Sequence, residues 1–108
     1  MRIGIEFGGT HIKMGIVSDD GIVVRYKEQK LTDFTDLENI VQSLNQSLNS
    51  FIGDENIEKG GISSKGLVDT DKGQVIDDVG AGRLLIGVPL CEIFSKKYNV
   101  PFQMDNDA

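Results

Sequence analysis

This chain of 108 residues is short of several residue types, and each shortage closes off a class of function. It has no tryptophan, and aromatic residues make up only 6%, so aliphatic side chains must build the core. Its one cysteine, Cys91, allows no disulfide within the chain, which suits a reducing compartment and points to the cytoplasm. Cys91 falls within an apolar helical pattern, where a small buried side chain is expected. The one histidine, His11, has no second His or Cys near it, so no structural metal site is indicated. No stretch approaches the roughly 20 apolar residues of a membrane span, and the N-terminus has no apolar signal-peptide region. Positive charge is scarce as well: 11 Lys and Arg against 17 Asp and Glu give a net charge of −6. With no basic run, a nucleic-acid surface is not expected. An acidic domain can still bind an anionic nucleotide where the local site is backbone amides and Mg²⁺.

What is present is enough apolar sequence, 39%, for one small domain with its own core. The most informative stretch runs from Ile3 to Val17. Ile3, Ile5 and Phe7 alternate along a first strand, and Ile12, Met14 and Ile16 alternate along a second. Between them lies Gly8-Gly9-Thr10. Paired glycines let the backbone turn tightly and let a ligand approach the amides without meeting a Cβ. Successive amides in such a turn can converge on a phosphate, with the Thr10 hydroxyl as a further donor. Lys13 adds charge if it points the same way. The carboxylate of Glu6 is placed to hold a hydrated Mg²⁺, which takes few protein oxygens beside water and phosphate. The same pattern also fits a plain hairpin with a Gly-Gly turn.

Ser18 to Gly21 reads as a turn and Ile22 to Glu28 as a third strand, giving an antiparallel meander. A helix follows. Thr35-x-x-Glu38 has capping-box spacing, and Leu37, Ile40, Val41, Leu44, Leu48, Phe51 and Ile52 share one face. Gly53 stops it. Gly60 to Ser64 is a short small-residue strand, a pattern suited to close approach of a ligand or another backbone. Thr70 to Gly73 is a turn, Val75-Ile76 a short strand, and Asp77 to Leu85 irregular. Pro89 opens a second helix with Leu90, Ile93, Phe94 and the stem of Lys97 inward. Asn99 and Pro101 end it. Val100, Phe102 and Met104 alternate in a last strand, which runs into Asp105-Asn106-Asp107-Ala108. Asp and Asn there also suit a helix N-cap.

Three of these stretches, in order and at matching distances, resemble the ROK family of sugar kinases and repressors, relatives of hexokinase and actin. Glu6-x-Gly8-Gly9-Thr10 resembles the family's first phosphate motif, usually Asp-x-Gly-Gly-Thr. Ile62-Ser63-Ser64-Lys65-Gly66-Leu67-Val68-Asp69 resembles its Gly-Ile-Ser-x-x-Gly-x-Val-Asp segment, whose second glycine lies at the sugar site. Val100 to Ala108 resembles its strand ending in Glu-Asn-Asp-Ala. Two departures stand out: Glu6 replaces the usual Asp, and Ala81 stands where a sugar-contacting Asn is common.

The resemblance implies an α/β, ribonuclease H-like (actin-like ATPase) lobe: three antiparallel strands, then helix, strand, helix, strand, with the final helix missing. It implies that residues 1–108 are one N-terminal lobe, cut before that helix and before a C-terminal lobe. It implies ATP and Mg²⁺ as cofactors, with Glu6 as the metal carboxylate and Gly8, Gly9, Thr10 and Lys13 on phosphate. Gly66, Asn106 and Asp107 would hold a hexose or N-acetylhexosamine, and Asp107 would be the catalytic base. Zinc, in this family, belongs to the C-terminal lobe. The expected partners are a sugar, ATP and that second lobe, without membrane or nucleic-acid contact from this domain. Alone, the lobe is expected to be inactive. A second expectation is the non-catalytic sugar-sensing domain of an ROK repressor. A third is an interaction module whose uncovered apolar surface drives homo-oligomer formation.

Overall fold

The computed structural model describes residues 1–8, 11–30, 40–64, 67–77 and 85–106. Five strands form one sheet in the order β3-β2-β1-β4-β7, where β1 is Arg2–Phe7, β2 His11–Val17, β3 Val23–Lys30, β4 Lys59–Ser64 and β7 Phe102–Asn106. The first three strands are antiparallel neighbours, while β4 runs parallel to β1 and β7 parallel to β4. Two helices, α1 (Ile40–Ile52) and α2 (Leu90–Tyr98), supply the crossovers that parallel strands require. The order of elements expected for this sheet and its helices is therefore the order found.

Strand alternation decides what lies on each face. Ile3, Ile5 and Phe7 of β1, Ile12, Met14 and Ile16 of β2, Ile62 of β4, and Phe102 and Met104 of β7 are all buried. They pack with Leu44, Leu48, Phe51 and Ile52 of α1 and with Leu90, Cys91 and Phe94 of α2 in one core. Each such side chain contributes about 1.5–3 kcal/mol through burial. Both helices lie on this face, joined where Tyr98 Oη donates to Asn49 Oδ1 at 2.7 Å. Phe102 stacks at a tilt against Phe94 with ring centroids 5.6 Å apart. Its ring occupies the space that a Cβ on Gly60 would need.

The helix stops follow local chemistry. Gly53 has φ +58° and donates its N–H to Asn49 O at 3.0 Å, the left-handed ending expected of it. Asn99 ends α2 in the same conformation, at φ 56° and ψ 41°. At the start of α1 the structure begins at Ile40, so the Thr35–Glu38 capping box and Leu37 lie outside the described residues.

Three readings change. β3 runs Val23–Lys30, two residues beyond Glu28, and is an edge strand whose residues are almost all exposed. Lys97 is exposed rather than inward on α2, while Cys91 is buried there as expected. The end of the second motif, β5 (Leu67–Asp69), forms a hairpin with β6 (Gln74–Asp77), a second, two-stranded sheet. Its turn is tied by Asp69 Oδ1, which accepts from the amides of Asp71 and Lys72 at 3.0 and 3.1 Å.

Candidate active site at three strand ends

β1, β4 and β7 run parallel, so their carboxyl ends share one edge of the sheet. Register places Phe7 beside Ser64 and Ser64 beside Asn106. Each strand leads directly into one motif. β1 leads to Gly8-Gly9-Thr10, β4 to Lys65-Gly66 and β7 to Asp107. Neighbouring strands lie about 4.8 Å apart, so three stretches separated by some forty residues or more in sequence begin within about 10 Å of one another. The carboxyl ends of parallel strands are where open α/β sheets place their ligands. Gly9, Thr10, Gly66 and Asp107 themselves lie outside the described residues, and of Asn106 the structure describes the strand position.

A second row lies one residue back, on the face opposite the helices. Glu28, Lys13, Glu6, Ser63 and Asp105 stand side by side on five successive strands. Lys13 therefore does point to the same side as Glu6. The two are directly opposite but not ion-paired. Glu6 is half-buried and Lys13 exposed. Both line a trough of about 580 Å³ together with Ser63 and Asp105. Its floor is made by Gly4, Gly15 and Gly61, adjacent in register on three strands. A Cβ on Gly4 or Gly61 would meet nothing within 4 Å, so the missing side chains leave open space.

The donor chemistry fits a hydrated Mg²⁺. A half-buried carboxylate free of its neighbouring lysine, with further oxygen-bearing side chains in line, offers hard oxygen ligands while leaving room for water. Among the described residues no group of three His, Cys, Asp or Glu side chains could enclose a metal by itself. The Gly8 amide donates to His11 O at 2.8 Å. That bond ties β1 to β2 at the turn, so the Gly8 N–H is already spent within the hairpin. The one site feature that the sequence reading passed over is Ser64, a fully buried hydroxyl at the centre of the three strand ends. Its signal was a polar residue at a core-facing position of β4.

Residues 2–108 match the profile of the ROK family. The chain belongs to the ROK family. No curated protein matches it. Among solved structures, a sugar-kinase candidate from Cytophaga hutchinsonii is 27% identical with a TM-score of 0.83, over 100% of this chain and 36% of its own. An ROK family glucokinase from Streptomyces griseus, in complex with glucose and AMPPNP, is 23% identical with a TM-score of 0.77, over 99% of this chain and 33% of its own. An ROK family transcriptional regulator, a homologue of the E. coli MLC protein, is 14% identical with a TM-score of 0.71, over 97% and 27%. The fold is thus the ROK, actin-like ATPase fold, and this chain spans about a third of the length of such relatives. No helix among the described residues is long and apolar enough to cross a membrane.

Proposed function

We propose that this ROK chain is the N-terminal lobe of a sugar kinase that transfers the γ-phosphate of ATP to a hydroxyl of a hexose or N-acetylhexosamine. The observation that supports the reading is the register line Phe7, Ser64, Asn106, which sets side by side the strand ends that lead in sequence to Gly8-Gly9-Thr10, Lys65-Gly66 and Asp107. Phosphoryl transfer to a hydroxyl needs positioning, charge neutralisation and a base more than it needs covalent chemistry from the protein. Asp107 takes the proton of the attacking hydroxyl. Asn106, able to donate and accept at once, and Gly66 hold the sugar. Gly9 and Thr10 contact phosphate, and Lys13 adds positive charge. Glu6 carries the Mg²⁺, which supplies neutralisation of the phosphate oxygens when bound. A sugar kinase and an AMPPNP complex among the similar structures support this assignment.

The second reading is a sugar sensor. The likeness to a transcriptional regulator favours it, as do Glu6 in place of Asp and Ala81 in place of Asn. An assay coupled to ADP formation, run on the protein expressed from its own gene with a panel of hexoses, separates the two. ADP formation with one or more sugars supports the kinase, and sugar binding without ADP overturns it in favour of the sensor. In an active protein, Asp107→Asn is expected to abolish turnover with an unchanged melting temperature. Retained turnover would remove Asp107 from the role of base.

A further inference from the structure

Among the described residues the core contains one buried polar side chain, Ser64, at 0% exposure, amid nineteen buried hydrophobic residues. A hydroxyl in such a place is costly unless hydrogen-bonded, and alanine would fill it without that cost. Ser64 is not left without a partner. Its position is specific. It is the last residue of the middle strand of the three whose ends converge, with Phe7 on one side and Asn106 on the other. Gly8 follows Phe7, Asp107 follows Asn106, and Gly66 is two residues beyond Ser64 itself. The glycine turn, the sugar glycine and the base therefore all begin within two residues of Ser64, along the chain or across the ladder. A core that needed only packing at this point would be served by any small apolar residue. A buried hydrogen bond adds what packing does not, a directional restraint on where the strand ends leave the sheet.

We infer that Ser64 is a positioning residue for the sugar side of the site, fixing through its buried hydroxyl the corner where β4 hands over to Gly66 and β7 to Asn106 and Asp107. The inference rests on the kinase reading above. It assigns Ser64 no contact with substrate. Its effect passes through the residues that follow it, which is why a change there is expected to weaken sugar binding more than nucleotide binding.

The experiment compares wild type, Ser64→Ala and Ser64→Thr in the protein expressed from its own gene, each assayed well below its melting temperature. Ser64→Ala is expected to raise KM for the sugar about tenfold while KM for ATP moves less than about twofold. Ser64→Thr keeps the hydroxyl and is expected to stay near wild type in sugar KM. If the extra methyl of threonine prevents folding, the split between the two KM values in Ser64→Ala decides the matter alone. A lowered melting temperature with both KM values unchanged would mean that Ser64 is merely structural and overturn the assignment. Equal rises in both KM values would overturn it too, since they mark a general loosening. A wild-type protein that turns over no sugar overturns the kinase reading itself, and this inference with it.

Discussion

Cys91 shows how far burial changes a single side chain. It is 8% exposed, and desolvation pushes its thiol from an ordinary 9.0 up to about 11. The thiolate is the reactive form, so the folded protein is expected to resist iodoacetamide at pH 8–9 and to react only after unfolding. Rapid modification without loss of structure would contradict this. The linkage has a definite sign. The folded state holds the proton more tightly than the unfolded chain, so the contribution to stability is complete below about pH 9. It is lost as pH rises towards about 11. Cys91 also explains Gly73. A Cβ on Gly73 would come 2.5 Å from Cys91 Cβ, and its φ of +64° disfavours any other residue. The sequence showed Gly73 as a turn residue. It could not show that the turn would rest against α2.

At the scale of elements, Arg25 links the edge strand β3 to the end of α1. Its Nη1 donates to Phe51 O at 2.6 Å and Ile52 O at 3.2 Å, and its Nη2 lies 3.7 Å from Glu55. A cation at a helix C-terminus satisfies carbonyls that have no partner in the helix and opposes its dipole. Arg25→Ala is expected to cost about 1 kcal/mol, at the low end for charged hydrogen bonds because the side chain is partly exposed. Chemical denaturation checks it, and a change below a few tenths would remove Arg25 from this role. Much at this scale was legible beforehand. α1 announced itself by apolar residues at helical spacing, and β1, β2 and β7 by alternation. The β5–β6 hairpin was only half seen, because three residues, Leu67 to Asp69, are too few to establish a period. Lys97 was placed inward by spacing alone. Leu90, Cys91 and Phe94 face the core as their spacing suggests, and Lys97, near the end of the nine-residue helix, lies outside that buried face.

At the scale of the whole molecule, the convergence of three strand ends makes a prediction about coupling. Groups that serve one transfer step lose activity together rather than in sum. In an active protein, Glu6→Gln is expected to lower kcat and raise the Mg²⁺ requirement. The double variant Glu6→Gln, Asp107→Asn is expected to be no slower than Asp107→Asn alone. Strictly additive losses would mean that the two carboxylates act separately. The sequence by itself determined the family, because three motifs in order are written in contiguous residues and local chemistry specifies each. It determined the meander, both helices and their stops, since alternation, helical spacing, glycine and left-handed asparagine act over a few positions. Only the tertiary structure decided that β4 inserts between β1 and β7, setting Phe7, Ser64 and Asn106 in one line. It alone decided that Glu6 and Lys13 share a face across the ladder without pairing. Parallel strand order and register depend on how distant segments bury one common core, and no local pattern carries that information.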